Sequence, residues 1–116
     1  MAVTLSELTI DTNLSTSNDK LVETTINSTA FVGAAVFTNT GTITESITVW
    51  RLSSSGTEST SNYLIKKDIL PNKSYSCNEL VGQVISSGSY ISATTQNAVS
   101  TDTGAIAVNI SGTRAV

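Results

Sequence analysis

Apolar and polar residues alternate over short stretches of this chain, which is the pattern of β-strands that pack one face against a core. The clearest stretch is Gly104–Ile110, in which Ile or Val takes every second position from 106 onward. Ala30–Thr38 is the most apolar stretch, and we predict that it is a central strand. Its small residues Gly33, Ala34 and Ala35 predict that another segment packs closely against this backbone.

The other apolar stretches are also short, and Asn, Gly, Ser and Pro separate them. Turns are predicted at Asn39-Thr40-Gly41 and at Leu70-Pro71-Asn72. This close spacing predicts a sandwich or barrel of antiparallel strands, with no helix of ordinary length. Ser53–Ser61 is almost entirely polar and is predicted to be an exposed loop. Glu45 interrupts an apolar face, so we expect burial to begin near Ile47. The remaining predicted strands are Leu21–Ile26, Ile43–Leu52, Tyr63–Ile69, Tyr75–Leu80, Val81–Ile85 and Ser89–Thr95.

The first nineteen residues differ from the rest, because their apolar side chains are isolated. Val3 and Leu5, and then Leu8 and Ile10, keep short period-2 pairs that are compatible with a strand in part of this segment, but the alternation slips at Ser6-Glu7. We therefore expect residues 1–19 to be an N-terminal arm and linker, and residues 20–116 to be one β-sandwich domain. An arm of this kind can lie on a neighbouring protein. Its candidate interface residues are Leu5, Leu8, Ile10 and Leu14.

Composition narrows the class of partner. Only 13% of the 116 residues are charged, and the net charge of −3 argues against nucleic acid as the main partner. Ser and Thr make up about a third of the chain, which predicts a neutral surface rich in hydroxyl groups. No apolar run is long enough to span a bilayer, and the N-terminus lacks the pattern of a signal peptide, so we expect synthesis in the cytoplasm.

The residue types of common active sites are scarce. The chain has no histidine, which removes Ser-His-Asp and Cys-His catalysis and His-ligated zinc. Cys77 is the single cysteine, so we expect a packed thiol and no internal disulfide. The carboxylates, such as Glu45 and Glu58, show no spacing of an acid/base pair or a calcium loop. The sequence thus predicts a protein that is not an enzyme and holds no cofactor or metal.

Aromatic residues are few, and their positions are informative. We expect Phe31 and Phe37 to lie in the core. Trp50 stands beside Arg51 at a strand end next to the long loop, which is compatible either with an interface anchor or with packing at the rim of the core. Trp50 and Arg51 therefore join the candidate interface residues.

Four segments, Ala34–Gly41, Ile43–Leu52, Ile69–Asn72 and Val108–Gly112, carry a family resemblance. Together they make residues 21–116 resemble a group of small β-sandwich virion proteins of tailed bacteriophages. The resemblance implies a non-enzymatic virion component with an immunoglobulin-like or jelly-roll sandwich. It does not extend to the first nineteen residues, and the polar turn expected around Cys77–Gln83 is not clear in this sequence.

The first functional hypothesis is a capsid decoration, or cement, protein that bridges major capsid subunits through its arm and one end of the sandwich, as an oligomer on the virion. The second is a tail, neck or baseplate component. A third hypothesis, of another class, is a carbohydrate- or receptor-binding module in which Trp50, Tyr63 and Tyr90 contact the ligand. Neither a membrane nor a nucleic acid is an expected partner.

Overall fold

The all-β prediction is confirmed by a computed structural model that describes residues 3–17, 19–24, 27–97 and 103–115. Within these residues the chain forms nine strands and no helix, so none of them builds a helix that could cross a membrane. The strands are β1 (Val3–Ser15), β2 (Asp19–Glu23), β3 (Thr29–Asn39), β4 (Glu45–Leu52), β5 (Ile65–Ile69), β6 (Ser74–Ser76), β7 (Val84–Ile85), β8 (Tyr90–Thr95) and β9 (Thr103–Ala115).

The strands form two antiparallel sheets that pack together as a β-sandwich, as predicted. The five-stranded sheet has the order β1-β9-β3-β6, and β7 also pairs with β3. The four-stranded sheet has the order β2-β8-β4-β5. Side chains from both sheets share one hydrophobic core. Alternation in the sequence explains this arrangement, because Ile106, Val108 and Ile110 of β9 all point into the core.

The N-terminal segment differs from the expected arm. β1 pairs along its length with β9, and Leu8 and Leu14 belong to the core. Residues 3–15 are therefore part of the sandwich rather than an arm outside it. The reason is that the ladder contains register shifts, one of them between Glu7 and Thr9, and such bulges absorb the break in alternation that the sequence shows at this point.

Two further residues depart from the sequence predictions. Phe31 is 41% exposed, whereas Phe37 is fully buried as expected. Ala30 and Val32 already occupy the inward positions on either side of Phe31, so its ring lies on the outer face of the sheet. Burial in β4 begins at Glu45, two residues earlier than expected.

The buried Glu45 carboxylate is held by polar groups at the end of β8 and just after it. Its Oε1 accepts hydrogen bonds from the Thr95 hydroxyl, at 3.0 Å, and from the Asn97 backbone N–H, at 3.2 Å. Its Oε2 has no hydrogen-bond partner among the described residues. An acidic residue can thus take a core position here, because one of its two oxygens finds donors on a neighbouring strand.

Several strands are also shorter than predicted. β5 begins at Ile65, so Tyr63 precedes the strand. Tight turns occupy most of residues 77–83, and β6 and β7 keep only short pairings with β3. The predicted turn after Ile69 is present: the Lys73 N–H donates to the Leu70 carbonyl, and Asn72 has the positive φ of 59° that this kind of turn requires.

Candidate functional site

A groove crosses the outer face of the four-stranded sheet. In β4, Ile47 and Val49 point into the core, so Ser46, Thr48 and Trp50 point outward. The register then aligns the outward residues of three strands into rows. One row contains Asp68 and Ser46, and the next contains Lys66, Thr48 and Thr94.

Two depressions make up this groove. The first has a volume of about 410 Å³, and the second has a volume of about 380 Å³. They adjoin each other, because Thr48, Lys66 and Thr94 line both. We refer to them together as the sheet groove, and its other lining residues are Ser46, Trp50, Thr60, Tyr63, Asp68 and Gln96.

The predicted loop Ser53–Ser61 bounds one end of the groove. Most of its residues are exposed, as expected, but the loop also folds back onto the sheet. The Trp50 indole N–H donates to the Ser59 carbonyl at 2.9 Å, and the Tyr90 hydroxyl donates to the Gly56 carbonyl at the same distance. Trp50 and Tyr90 pack with Leu52 in a small second cluster beneath the loop.

The loop therefore covers two of the three aromatic residues proposed for carbohydrate binding and leaves the third exposed. Trp50 and Tyr90 are only 7% and 5% exposed, whereas Tyr63 is 44% exposed. Burial, and then the nearby Glu58 carboxylate, raise the pKa of the Tyr90 hydroxyl, which keeps it protonated as a donor to the loop. The Lys20 ammonium lies over the Tyr90 ring, 4.6 Å from its centre. Tyr63 and the exposed edge of Trp50 are thus the aromatic surfaces that a ligand in the groove could contact.

The candidate interface residues lie in different places. Leu8 and Leu14 are core residues and are not exposed for contact with another protein. The side chains of Leu5 and Ile10 lie outside the described part of the structure. Arg51 is exposed at the rim, where its guanidinium donates to the Val84 carbonyl at 2.6 Å and so links the two sheets.

An exposed apolar area lies on the outer face of the other sheet. Phe31 of β3 and Val84 of β7 are paired residues, and each is 41% exposed. Val81, which is 45% exposed, lies in the adjoining turn, whose Gly82 N–H donates to the Val32 carbonyl. We call Phe31, Val81 and Val84 the Phe31 patch. None of these three side chains carries a charge or a hydrogen-bonding group.

The Cys77 thiol is packed, as the sequence predicted. It is fully buried, and its Sγ lies 3.7 Å from Oε1 of Glu79, which also accepts a hydrogen bond from the Tyr75 hydroxyl. Burial, and to a smaller degree the Glu79 carboxylate, raise the pKa of Cys77 to about 11. The Tyr75 hydrogen bond lowers the pKa of Glu79. A raised pKa keeps the thiol protonated and weakens it as a nucleophile.

We therefore expect Cys77 of the folded protein at pH 8 to react with Ellman's reagent roughly a hundredfold or more slowly than in the chain unfolded by guanidinium chloride. The double variant Cys77→Ser/Asn78→Cys moves the thiol to an exposed neighbouring position and serves as the control. A wild-type rate equal to that of the control would contradict the burial and raised pKa of the thiol.

Metal ligands are not grouped within the part of the chain that the structure describes: no three or more Cys, Asp or Glu residues there come together. Trp50 and Tyr63 were candidate ligand contacts from the sequence, but the polar residues of the groove were not. Ser46 and Thr48 of β4 and Thr94 of β8 look like ordinary outward positions, and only the pairing of the two strands brings them together. The available signal was that polar residues alternate with core residues at the same steps in β4 and β8.

The chain matches no protein-family model, no curated protein and no solved structure.

Proposed function

We propose that this chain is a non-enzymatic structural subunit of a bacteriophage virion, and specifically a capsid decoration protein that stabilises contacts between major capsid subunits. The four segments that resemble virion proteins motivate the assignment. The Phe31 patch is the observation on the folded protein that supports it most directly. A subunit that functions by contact needs an exposed surface whose burial against another protein lowers the free energy.

The Phe31 patch meets this requirement. Antiparallel partners on one face point the same way, so Phe31 and Val84 present their side chains side by side to solvent. Gly33 and Ala34, which follow Phe31 in β3, are also exposed and add only small apolar groups. Covering such a surface removes apolar area from water without desolvating a charge.

The placement of the patch suits a lateral contact. It lies on the face of a sheet, close to the end where Arg51 links the two sheets. Deleting residues 1–19 would not be a clean test of assembly, because that deletion removes β1 and part of the core. Substitutions on the exposed face are more specific, since they leave the core intact.

The double variant Phe31→Thr/Val84→Thr tests this surface, and threonine keeps the preference of both positions for a strand. We expect its affinity for capsids assembled without the chain to fall at least about tenfold, measured by co-sedimentation over a range of concentrations. The matched control is Tyr63→Ala, which removes an aromatic ring of similar exposure from the loop beside the opposite sheet and should leave capsid binding unchanged.

Binding by the double variant that equals wild type would refute the role of the Phe31 patch. An image reconstruction of the intact particle tests the location independently. Density for the chain on the head agrees with decoration, whereas density confined to the tail, neck or baseplate would replace that assignment by the second hypothesis.

A further inference from the structure

We infer that the sheet groove is a binding site for a neutral oligosaccharide. This activity is separate from the proposed contact between virion subunits, because the groove and the Phe31 patch lie on different sheets. The inference rests on three properties of the groove: its pattern of hydrogen-bonding groups, its exposed aromatic ring and its balance of charge.

Hydrogen-bonding groups are arranged in rows along the floor. Ser46, Thr48 and Thr94 contribute hydroxyl groups, each of which can both donate and accept. Gln96 adds an amide next to Ser46, whose carbonyl accepts from the Gln96 backbone N–H at 3.1 Å. Rows on one face of a strand repeat about every 7 Å, so the three rows from Ser46 to Trp50 extend over about 14 Å. This length suits a chain of sugar units better than a single small molecule.

The aromatic ring is at the loop end of the groove. Tyr63 lines the second depression and keeps 44% of its surface exposed, while Trp50 lines it too but is almost buried, with its indole N–H already bonded to Ser59. An exposed ring of this kind can stack against the C–H face of a sugar, whose hydroxyl groups point outward from the ring edge. One end of the groove is thus apolar on its surface and the remainder is polar, which matches the C–H faces and the hydroxyl groups of a sugar chain.

The charged residues of the groove favour a neutral ligand. Lys66 and Asp68 are the charged residues that line the first depression, and they lie on the same side of β5. Their opposite charges offset each other, so the groove attracts neither a polyanion nor a polycation strongly. Both side chains still supply a donor and an acceptor for hydroxyl groups of the ligand.

A peptide is a poorer fit than a sugar. Peptides that bind sheets commonly add a strand at an exposed edge, where backbone groups are free to pair. The groove instead crosses a face in which β4 is paired on both sides, by β5 and by β8. The edge strand β5 also carries Lys66, Lys67 and Asp68, and charges of this kind discourage pairing with another chain.

The test is a titration of the ¹⁵N-labelled protein with maltotriose, cellotriose, mannotriose and chitotriose, each at millimolar concentration. We expect at least one of these neutral sugars to shift the backbone amide signals of β4, β5 and β8 around Thr48, Lys66 and Thr94. A sulfated heparin oligosaccharide is expected to cause no comparable shift.

Two variants identify the groups involved. Tyr63→Ala removes the exposed ring and is expected to weaken binding of the sugar at least about tenfold. Thr48→Val keeps the shape of the side chain but removes the hydroxyl shared by both depressions, and it is expected to weaken binding severalfold. Phe31→Ala is the matched control, because it removes a ring of similar exposure from the other sheet and should leave the affinity unchanged.

The absence of shifts with all four sugars would overturn the inference, as would shifts confined to residues outside these three strands. Unchanged affinity of Tyr63→Ala would do the same. Competition for the groove by a capsid subunit would show that the occupant is a protein and would also overturn it. Failure of sugar binding does not affect the capsid experiment, which depends on Phe31 and Val84.

Discussion

Replacing Gly112 with alanine is expected to lower the free energy of unfolding by about 3 kcal/mol, one of the largest effects available from a single methyl group in this fold. Gly112 lies in β9 opposite Val32, where β3 bulges between Val32 and Ala34. A Cβ added at Gly112 would overlap the Phe31 carbonyl oxygen, and it would lie 2.9 Å from the Phe31 carbonyl carbon. These are backbone atoms of a paired strand, so the overlap can be relieved only if β3 and β9 move apart at this point.

Urea unfolding followed by the fluorescence of Trp50, the only tryptophan, measures this effect. Gly33→Ala is the matched control, because Gly33 lies in the same bulge but its added Cβ would meet only the Gly112 Cα and the Ser111 carbonyl, both at 3.6 Å. We expect the control to change stability by less than about 0.5 kcal/mol. Equal stability of the Gly112→Ala variant and wild type would show that the two strands do not approach this closely.

The close approach at Gly112 illustrates what the sequence could predict. The small residues at 33–35 predicted that a segment packs against β3, and the alternation in β9 predicted which of its residues enter the core. Neither pattern identified Gly112 as the contacting residue, because strand pairing is a non-local property. The sequence of β3 contains no information about which other strand lies beside it until the sheet order is known.

The errors at the N-terminus and in β3 have physical causes of the same kind. β1 was predicted as an arm because bulges hide its alternation, and a bulge is a feature of the pairing rather than of the strand alone. Phe31 was predicted to lie in the core together with Phe37. The register of β3 instead put the smaller Ala30 and Val32 inward, and periodicity determined burial more strongly than hydrophobicity did.

The candidate surfaces were harder to predict than the core. Trp50 and Tyr90 were proposed as ligand contacts, and both lie beneath the loop that follows β4. Tyr63 was the one aromatic of the three that stays exposed, and its neighbours in the groove come from three strands. A binding face made of ordinary Ser and Thr residues has no sequence signature, since each residue is typical of a solvated strand.

Asn39 gives a second case in which pairing of distant segments determines the role of a residue. The sequence predicted turns at residues 39–41 and 70–72 but did not connect them. In the fold, the fully buried Asn39 side chain donates to the Ile43 carbonyl at 2.7 Å and to the Ile69 carbonyl at 2.9 Å. Its Oδ1 accepts from the Gly41 N–H, and its backbone pairs with residues 72 and 73. One side chain thus joins the β3–β4 turn to the end of β5.

We expect Asn39→Ala to lower the free energy of unfolding by about 4 kcal/mol, because it leaves two carbonyl groups and one N–H, all buried or partly buried, without the partner that Asn39 provides. Asn39→Asp separates loss of the donor from loss of volume. It keeps the acceptor for Gly41 but turns an oxygen toward the Ile43 and Ile69 carbonyl oxygens, so we expect a loss at neutral pH at least as large as that of alanine. Urea unfolding measures both variants.

Asn62→Ala is the control, since Asn62 also donates to one backbone carbonyl and accepts from one N–H, but in the exposed loop. Water can replace those partners there, so the expected cost is below about 1 kcal/mol. If Asn39→Ala cost no more than this control, the hydrogen bonds of Asn39 would not be what joins the two turns. A large loss of unfolding free energy in both Asn39 variants, together with a small loss in Asn62→Ala, would instead show that one buried amide stabilises this end of the sandwich.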